Sequence, residues 1–378
     1  MYASRHAIFF LAFVVALVSA VPLHHRHRRS KCQHSSGAVS AGPTPTHAAV
    51  DIPSYSGAPT PSSKPEGSKE SSKPKSSASS SEDAPSPSGS SSSHTGSGGS
   101  LLGGLLGDLL PVADSIASWT TSPSKDALPL SDSTFRPEKV LQALKHTYTN
   151  APDGRMSMMA HYPKGSYTFG HDPQGGFSFY APGPSDVDLA TAKEATFGYS
   201  VYFGEDFDPV KGGKLPGLYG GNSADEADSC SGGRRSDACF STRLMWRAEA
   251  MGEFYTYLPP SFDENNKVCD IKPESDCNPT YGASVGRGSF KFALGAWTTV
   301  SQRVRLNDVG QANGEIELFV NGESKINVGG LVLRNSNEGK FRGLMMQTFF
   351  GGSDPDFAST KDQDVYFSGF SVAITKKL

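Results

Sequence analysis

From Phe177 to Ile374 the sequence keeps returning to one arrangement. Bulky apolar residues alternate with polar or small ones over short runs, and Gly, Pro, Asn or Asp closes most of them. Phe177–Tyr180, Thr196–Phe203, Phe240–Ala248, Glu253–Leu258, Trp297–Leu306, Glu315–Val320, Gly343–Phe350 and Val365–Ile374 all follow it. Side chains of an extended chain point alternately to opposite faces, so this period buries one face of each strand and frees the other. Asn321-Gly322 fits a two-residue turn joining Glu315–Val320 to Lys325–Val328, because both central residues of such a turn need positive φ. Arg136–Lys145 is the one modest helix candidate. Many short strands with turns between them predict an all-β domain, a sandwich or jelly roll.

The rest of the chain cannot share that core. Residues 1–20 read as a secretory leader: Arg5 supplies the positive start, Ala7–Val18 is apolar, and Val18-Ser19-Ala20 offers small residues for cleavage. The apolar run is too short to span a bilayer, so no membrane association is expected once it is removed. His24–Arg29 is basic, and Arg28-Arg29 reads either as a processing site or as a solvated patch. Of the 40 residues from 61 to 100, 18 are serine. Such a segment buries too little apolar surface to offset its ordering entropy, so residues 21–116 read as a disordered, O-glycosylated stalk. Leu101–Leu110 is an apolar island at its end. Its glycines make a poor helix, so a linker element is expected there. The globular domain is then 117–378.

The formal net charge is −3. Bulk attraction to a polyanion such as nucleic acid is not expected, and any anionic ligand must be met by a few placed cations. There are five cysteines. Behind a secretory leader, the close pairs Cys230/Cys239 and Cys269/Cys277 read as two disulfides that close short loops. Their spacing fits no zinc finger, and no histidine follows His171, so no metal is expected. Cys32 is left over, either to leave with a propeptide or to pair between chains.

Lys211–Gly221 packs five glycines and a proline around two lysines. Glycine weakens a plain strand and permits close backbone approach, so the run reads as a shaped loop holding Lys214. It is not a phosphate loop, because Leu215 stands where a Ser or Thr must follow the lysine. In the neighbouring strands, alternation sends Phe240, Leu244 and Trp246 to one face and Ser241, Arg243 and Met245 to the other. Phe254 and Leu258 likewise oppose Glu253, Tyr255 and Tyr257. With the apolar sets in the core, the second face gathers Ser, Arg and two Tyr beside the lysine. A solvated outer face explains any one of them; four together point to a site.

Lys211–Gly221, Phe240–Arg247, Glu253–Pro259 and Gln347-Thr-Phe-Phe-Gly-Gly352 together resemble the fungal branch of the family 14 polysaccharide lyases, the alginate- and glucuronate-lyase type. The resemblance covers about Trp119 to the C-terminus and is most specific in Gly-Gly-Lys-Leu-Pro-Gly. It implies a β-jelly roll that holds a uronate chain. The family's essential lysine falls on Lys214, its Ser-X-Arg pair on Ser241 and Arg243, and its Tyr-X-Tyr pair on Tyr255 and Tyr257. Asn222–Cys239 looks like a longer insertion than animal and viral members carry, placed to reshape one end of the groove.

The chemistry suits those residues without the analogy. Cleaving a 4-linked uronate by elimination removes the C5 proton, α to the carboxylate, and expels the 4-oxygen. That proton is barely acidic until cations offset the carboxylate charge. Arg243 offers a permanently charged fork for it. Lys214 and the tyrosines ordinarily titrate near about 10, so the site must depress one of them. A neighbouring arginine lowers a tyrosine, and burial lowers a lysine. Tyr257 is therefore the expected proton donor to the leaving oxygen, assisted by Tyr255. Lys214 is either base or carboxylate clamp, and Gln347 a hydrogen-bond partner for sugar.

Glu315 and Glu317 alternate like a hydrolase carboxylate pair, though a solvated strand face explains them better. Arg303 and Arg305 share a face, as a groove extension or as cross-strand surface charge. Trp246 and Trp297 read as core. Gly282–Gly286 matches the letters of a serine-hydrolase elbow by chance, with no helix pattern or histidine after it. The expectation is a secreted or wall-associated monomeric lyase without cofactor, acting on an acidic polysaccharide. The rivals are a non-catalytic binding module on the same fold and a glycoside hydrolase.

Overall fold

The computed structural model describes residues 102–378 apart from Ala113 and Ser229. The expected leader, Arg28-Arg29, Cys32 and the Ser-rich segment lie outside the described residues.

Among the described residues, fifteen strands, β1 to β15 in chain order, form two antiparallel sheets. The back sheet runs β13 (Glu323–Leu331), β12 (Gly314–Val320), β11 (Ala296–Arg305), β5 (Ala192–Phe203), β15 (Gln363–Lys377), β3 (Met156–Tyr162) and β2 (Thr147–Asn150). β1 (Ala117–Thr120) pairs with β15. The front sheet runs β4 (Phe177–Ala181), β14 (Lys340–Phe350), β6 (Gly212–Gly221), β7 (Cys239–Arg247), β8 (Met251–Tyr257), β10 (Ala283–Lys291) and β9 (Glu274–Cys277). This is the β-sandwich that the alternation implies. Between the sheets Phe197, Tyr199 and Val201 meet Leu215, Leu244 and Phe254. Trp246 packs edge-on against Phe203 and Phe350, with centroids 5.6 and 5.2 Å away. Asn321 and Gly322 turn the β12–β13 hairpin at φ 49° and 78°.

The glycine-rich run is a strand, not a loop. β6 lies inside the front sheet between β14 and β7, buried along its whole length. Its glycines are needed for space: a Cβ on Gly213 falls 2.2 Å from the Trp246 ring. Pro216 cannot donate to a ladder, and pairing shifts between Leu215 and Leu218 on one side and between Met345 and Phe349 on the other. The back sheet satisfies the groups this frees. Tyr199 donates to the Pro216 carbonyl at 3.1 Å, and Gln302 Oε1 accepts from Leu218 N–H at 3.2 Å. The irregularity also resets the alternation. Leu215 and Leu218, an odd number apart, both reach the core, and Lys214 and Tyr219 both leave it.

Three other expectations are corrected. Arg136–Lys145 is not helical: helix α2 (Asp132–Phe135) ends at Arg136, which takes φ 54° ahead of Pro137. A residue before proline avoids the α region, and the open edge of β4 captures the next segment through Glu138–Tyr180 backbone bonds. Trp297 is half-buried on the outside of the back sheet, where Nε1 donates to Asp153 at 2.6 Å and Arg155 stacks 4.3 Å above the ring. Trp246 is core, as expected.

The third correction concerns the apolar island. Residues 102–109 form helix α1 (Leu102–Leu109), which docks on β5, β11 and β15 of the back sheet. Leu109 is fully buried, and its carbonyl accepts from the Ser301 hydroxyl at 2.8 Å. Tertiary burial overrides the helix cost of the glycines. Leu109→Ala is expected to lower stability by about 2–3 kcal/mol. Removing residues 30–101 should leave the melting temperature unchanged, whereas removing 30–110 should lower it. Equal melting temperatures for the two truncations in thermal denaturation contradict the docking. No described helix is long and apolar enough to cross a membrane.

Candidate active site

On the face of the front sheet opposite the core, register brings the candidate residues together. Lys214 of β6 pairs with Met245 of β7, Arg243 with Tyr255 of β8, and Ser241 with Tyr257. Lys214, Arg243, Tyr255, Tyr257 and Gln347 line one groove of about 540 Å³. Phe169 and Phe349, tilted against each other with centroids 4.2 Å apart, also line it, as do Asn278 and Tyr281.

Lys214 is buried, with no carboxylate partner among the described residues. Its Nζ sits 3.7 Å above the Tyr255 ring and 2.8 Å from Met245 Sδ, a weak acceptor. Burial, and then the charges of Arg247 and Arg243, hold its pKa well below the ordinary 10.5, against a smaller opposing pull from Glu253. Arg243 is 2 % exposed and, among the described residues, also lacks a counter-ion. Nη1 donates to Gln347 Oε1 at 3.0 Å, Gln347 donates onward to Ser178, and Arg243 Nε has no partner. A buried guanidinium with unused donors is costly unless something arrives to accept from it.

The tyrosines differ from expectation in one respect. Burial raises the Tyr255 pKa above 10, helped by Tyr257, and Arg243 and Arg247 only partly oppose it. Tyr255 is thus a neutral phenol, not an arginine-stabilised phenolate. The Tyr257 oxygen accepts from the Gly233 backbone N–H at 3.0 Å, a contact that does not use its own proton. Ser241 is fully buried and does not line the groove. Its hydroxyl donates to the Cys230 carbonyl at 2.8 Å.

Sequence reasoning placed Glu253 on this face but gave it no role, and did not single out Arg247, Arg287 or Ser284. Glu253 is fully buried. Oε1 accepts from Arg247 at 2.8 Å, and Oε2 accepts from Arg287 at 2.9 Å and from the Ser284 hydroxyl. Both arginines line the groove, so one buried carboxylate orients two further cations toward it. The alternation putting Glu253 in line with Tyr255 was the available signal for that residue. Arg287 had none, because Gly286 and Gly288 obscure the alternation of β10. Ser284, the serine of the elbow-like letters, lies in a strand and serves this network. Arg303 and Arg305 belong to the back sheet, paired with Glu194, Glu315 and Glu317 at 2.6–3.9 Å, and do not extend the groove. Both expected disulfides, Cys230–Cys239 and Cys269–Cys277, are present.

The family model described as polysaccharide lyase 14 matches residues 150–370. The fold is similar to the marine PL-14 alginate lyase from Aplysia kurodai: 30% identity, 69% of this chain and 100% of that one covered, TM-score 0.58. It is also similar to an alginate lyase from a Chlorella virus, at 25% identity, with coverage of 69% and 100% and TM-score 0.55. Comparison with curated proteins gives no match.

Proposed function

The chain belongs to polysaccharide lyase family 14, and from that premise we propose that it cleaves 4-linked polyuronates by β-elimination. The observation that carries the proposal is Arg243, a fully buried guanidinium that among the described residues has no counter-ion and an unpartnered Nε, beside a Lys214 likewise unpaired. A uronate carboxylate supplies the missing acceptor, and its charge offset is what makes the neighbouring C5 proton removable. Arg247 and Arg287 take carboxylates of adjoining units, and Gln347 keeps the Arg243 fork facing the groove.

Lys214 acts as the base. Its depressed pKa leaves the amine free to accept the C5 proton, which separates this role from that of a permanently charged clamp. The C5–H electron pair forms the C4=C5 double bond, the C4–O4 bond breaks, and O4 takes the Tyr257 hydroxyl proton. Ammonium and phenolate then exchange a proton to restore the resting site. Tyr255 packs the lysine in place and donates a hydrogen bond to the sugar. Ser241 acts through the loop it anchors. The two disulfides suit a secreted protein, and the proposal places it outside the cell.

The alginate lyases among its structural relatives make alginate the first polymer to test, then glucuronan. Residues 102–378, incubated with each, should generate ultraviolet absorbance from a double bond conjugated to the carboxylate. Reducing ends without that absorbance indicate hydrolysis and overturn the proposal. Binding without turnover across the panel favours a binding module.

A further inference from the structure

We propose that the loop closed by the Cys230–Cys239 disulfide is a working part of the active site, which holds Tyr257 as a proton donor. The inference rests on the lyase reading and deepens it. Ordinarily a disulfide of this kind, closing a short loop in a secreted domain, is credited with stability alone.

Here the bond is itself part of the wall behind the reacting groups. Both cysteines are 1 % exposed and form one buried cluster with Met245, Tyr255 and Tyr257, separate from the inter-sheet core. Met245 is the residue whose sulfur contacts Lys214. The loop therefore backs both tyrosines and, through Met245, the base.

The loop also makes one directed contact. Gly233 takes φ 91°, a conformation that disfavours residues with a side chain, and so aims its N–H at the Tyr257 oxygen at 3.0 Å. A phenol hydroxyl rotates about its C–O bond and can spend its proton on any nearby acceptor. A donor on the oxygen occupies one of its lone pairs and so favours hydroxyl orientations that turn the proton away from the loop. A proton donor works only within hydrogen-bond reach of the leaving oxygen, and small misplacements are costly in rate.

Two buried anchors keep Gly233 there. The disulfide ties Cys230 to Cys239 at the start of β7, and the Ser241 hydroxyl holds the Cys230 carbonyl at 2.8 Å. The other ties are more exposed: Arg234 to Glu226, Arg235 to the Asn278 and Pro279 carbonyls, and Asp237 to the Ser261 N–H. Contacts of that type contribute little when solvated. Opening the disulfide leaves Gly233 on a segment held mainly from outside.

The test is a double-mutant cycle on a polyuronate that the wild type cleaves. Cys230→Ser with Cys239→Ser should lower kcat about 10- to 100-fold with KM within about twofold. Cys269→Ser with Cys277→Ser should leave kcat within about threefold. In a Tyr257→Phe background, opening the first disulfide should cost at most about threefold, because the group it chiefly serves is gone and only the packing behind Tyr255 and Met245 is left to lose. A multiplicative loss there shows a merely structural role and overturns the proposal, as does an unchanged kcat in the cysteine variant. Should that variant fail to fold, Ser241→Ala keeps both cysteines, loosens the same loop and enters the same cycle. Amide exchange gives a readout independent of activity. The Gly233 N–H should be protected in the wild type and exchange faster in Tyr257→Phe. An unprotected Gly233 in the wild type overturns the positioning claim even if the chain is a lyase. Failure to form unsaturated product with Gly233 protected instead counts against the lyase reading, leaving the hydrogen bond intact.

Discussion

Lys214→Met is expected to abolish turnover while making the protein more stable. The loss follows from removing the proposed base, a step to which a positioned proton acceptor contributes roughly 10²- to 10⁴-fold. The gain follows from linkage. The folded-state pKa of Lys214 lies well below 10.5, so an unfolded chain binds a proton that the folded site resists. Stability therefore rises with pH across the window from that lowered value up to 10.5. Below the window the folded protein must hold a buried ammonium, and the penalty is full. Methionine, unbranched and of similar length, removes the penalty, so the melting temperature should rise at neutral pH and the difference should shrink as pH approaches 10.5.

The same displacement predicts the rate profile. Turnover should climb with pH as Lys214 loses its proton, at a pH well below 10.5. Arg247→Met removes one of the charges that hold the lysine down and uncovers the Glu253 charge, so the climb should move to higher pH. Residual Lys214→Met turnover within tenfold of wild type contradicts the base. A melting temperature that falls at pH 7 contradicts the buried-amine cost.

Tyr257→Phe should reduce kcat by roughly 100-fold or more with KM barely moved. The substitution removes one hydroxyl from a ring that is 5 % exposed and packed against Cys230, Cys239 and Tyr255, so the groove keeps its shape. It does remove the partner of the part-buried Gly233 N–H, at a stability cost of about 0.5–1.5 kcal/mol. The loss should be smallest for substrates whose leaving group needs no proton, such as uronides with an activated aryl aglycone. Equal rates for wild type and Tyr257→Phe on polymer remove this tyrosine as the acid. A raised KM at constant kcat instead makes it a binding contact.

Alternation in β7 and β8 was sufficient to put Arg243, Tyr255 and Tyr257 on one face and Trp246 and Phe254 on the other, because a strand has only two faces and apolar bulk selects one. Close cysteine spacing was sufficient for both disulfides. Where glycine dominated, local reasoning failed twice, each time by expecting irregular chain where a regular element forms. Lys211–Gly221 looked like a loop, yet its missing side chains are what allow a central strand to lie beneath Trp246. Leu101–Leu110 looked like a linker, yet the back sheet offers Leu109 a burial site that outweighs its helix propensity.

The sequence alone thus determined the sandwich, most of its core and the shared face of Arg243, Tyr255 and Tyr257, all consequences of period and residue type read locally. Tertiary structure alone decided what each group on that face is prepared to do. Lys214 is held below its ordinary pKa because it is buried beside two arginines of the neighbouring strand β7, about 30 residues further along the chain. The Tyr257 oxygen accepts from a backbone N–H 24 residues earlier in the chain, a contact that does not use its own proton. Ser241 faces a carbonyl in that loop instead of the groove. Charge state and hydrogen-bond direction depend on neighbours brought from distant parts of the chain, and no local pattern in the sequence encodes that distance.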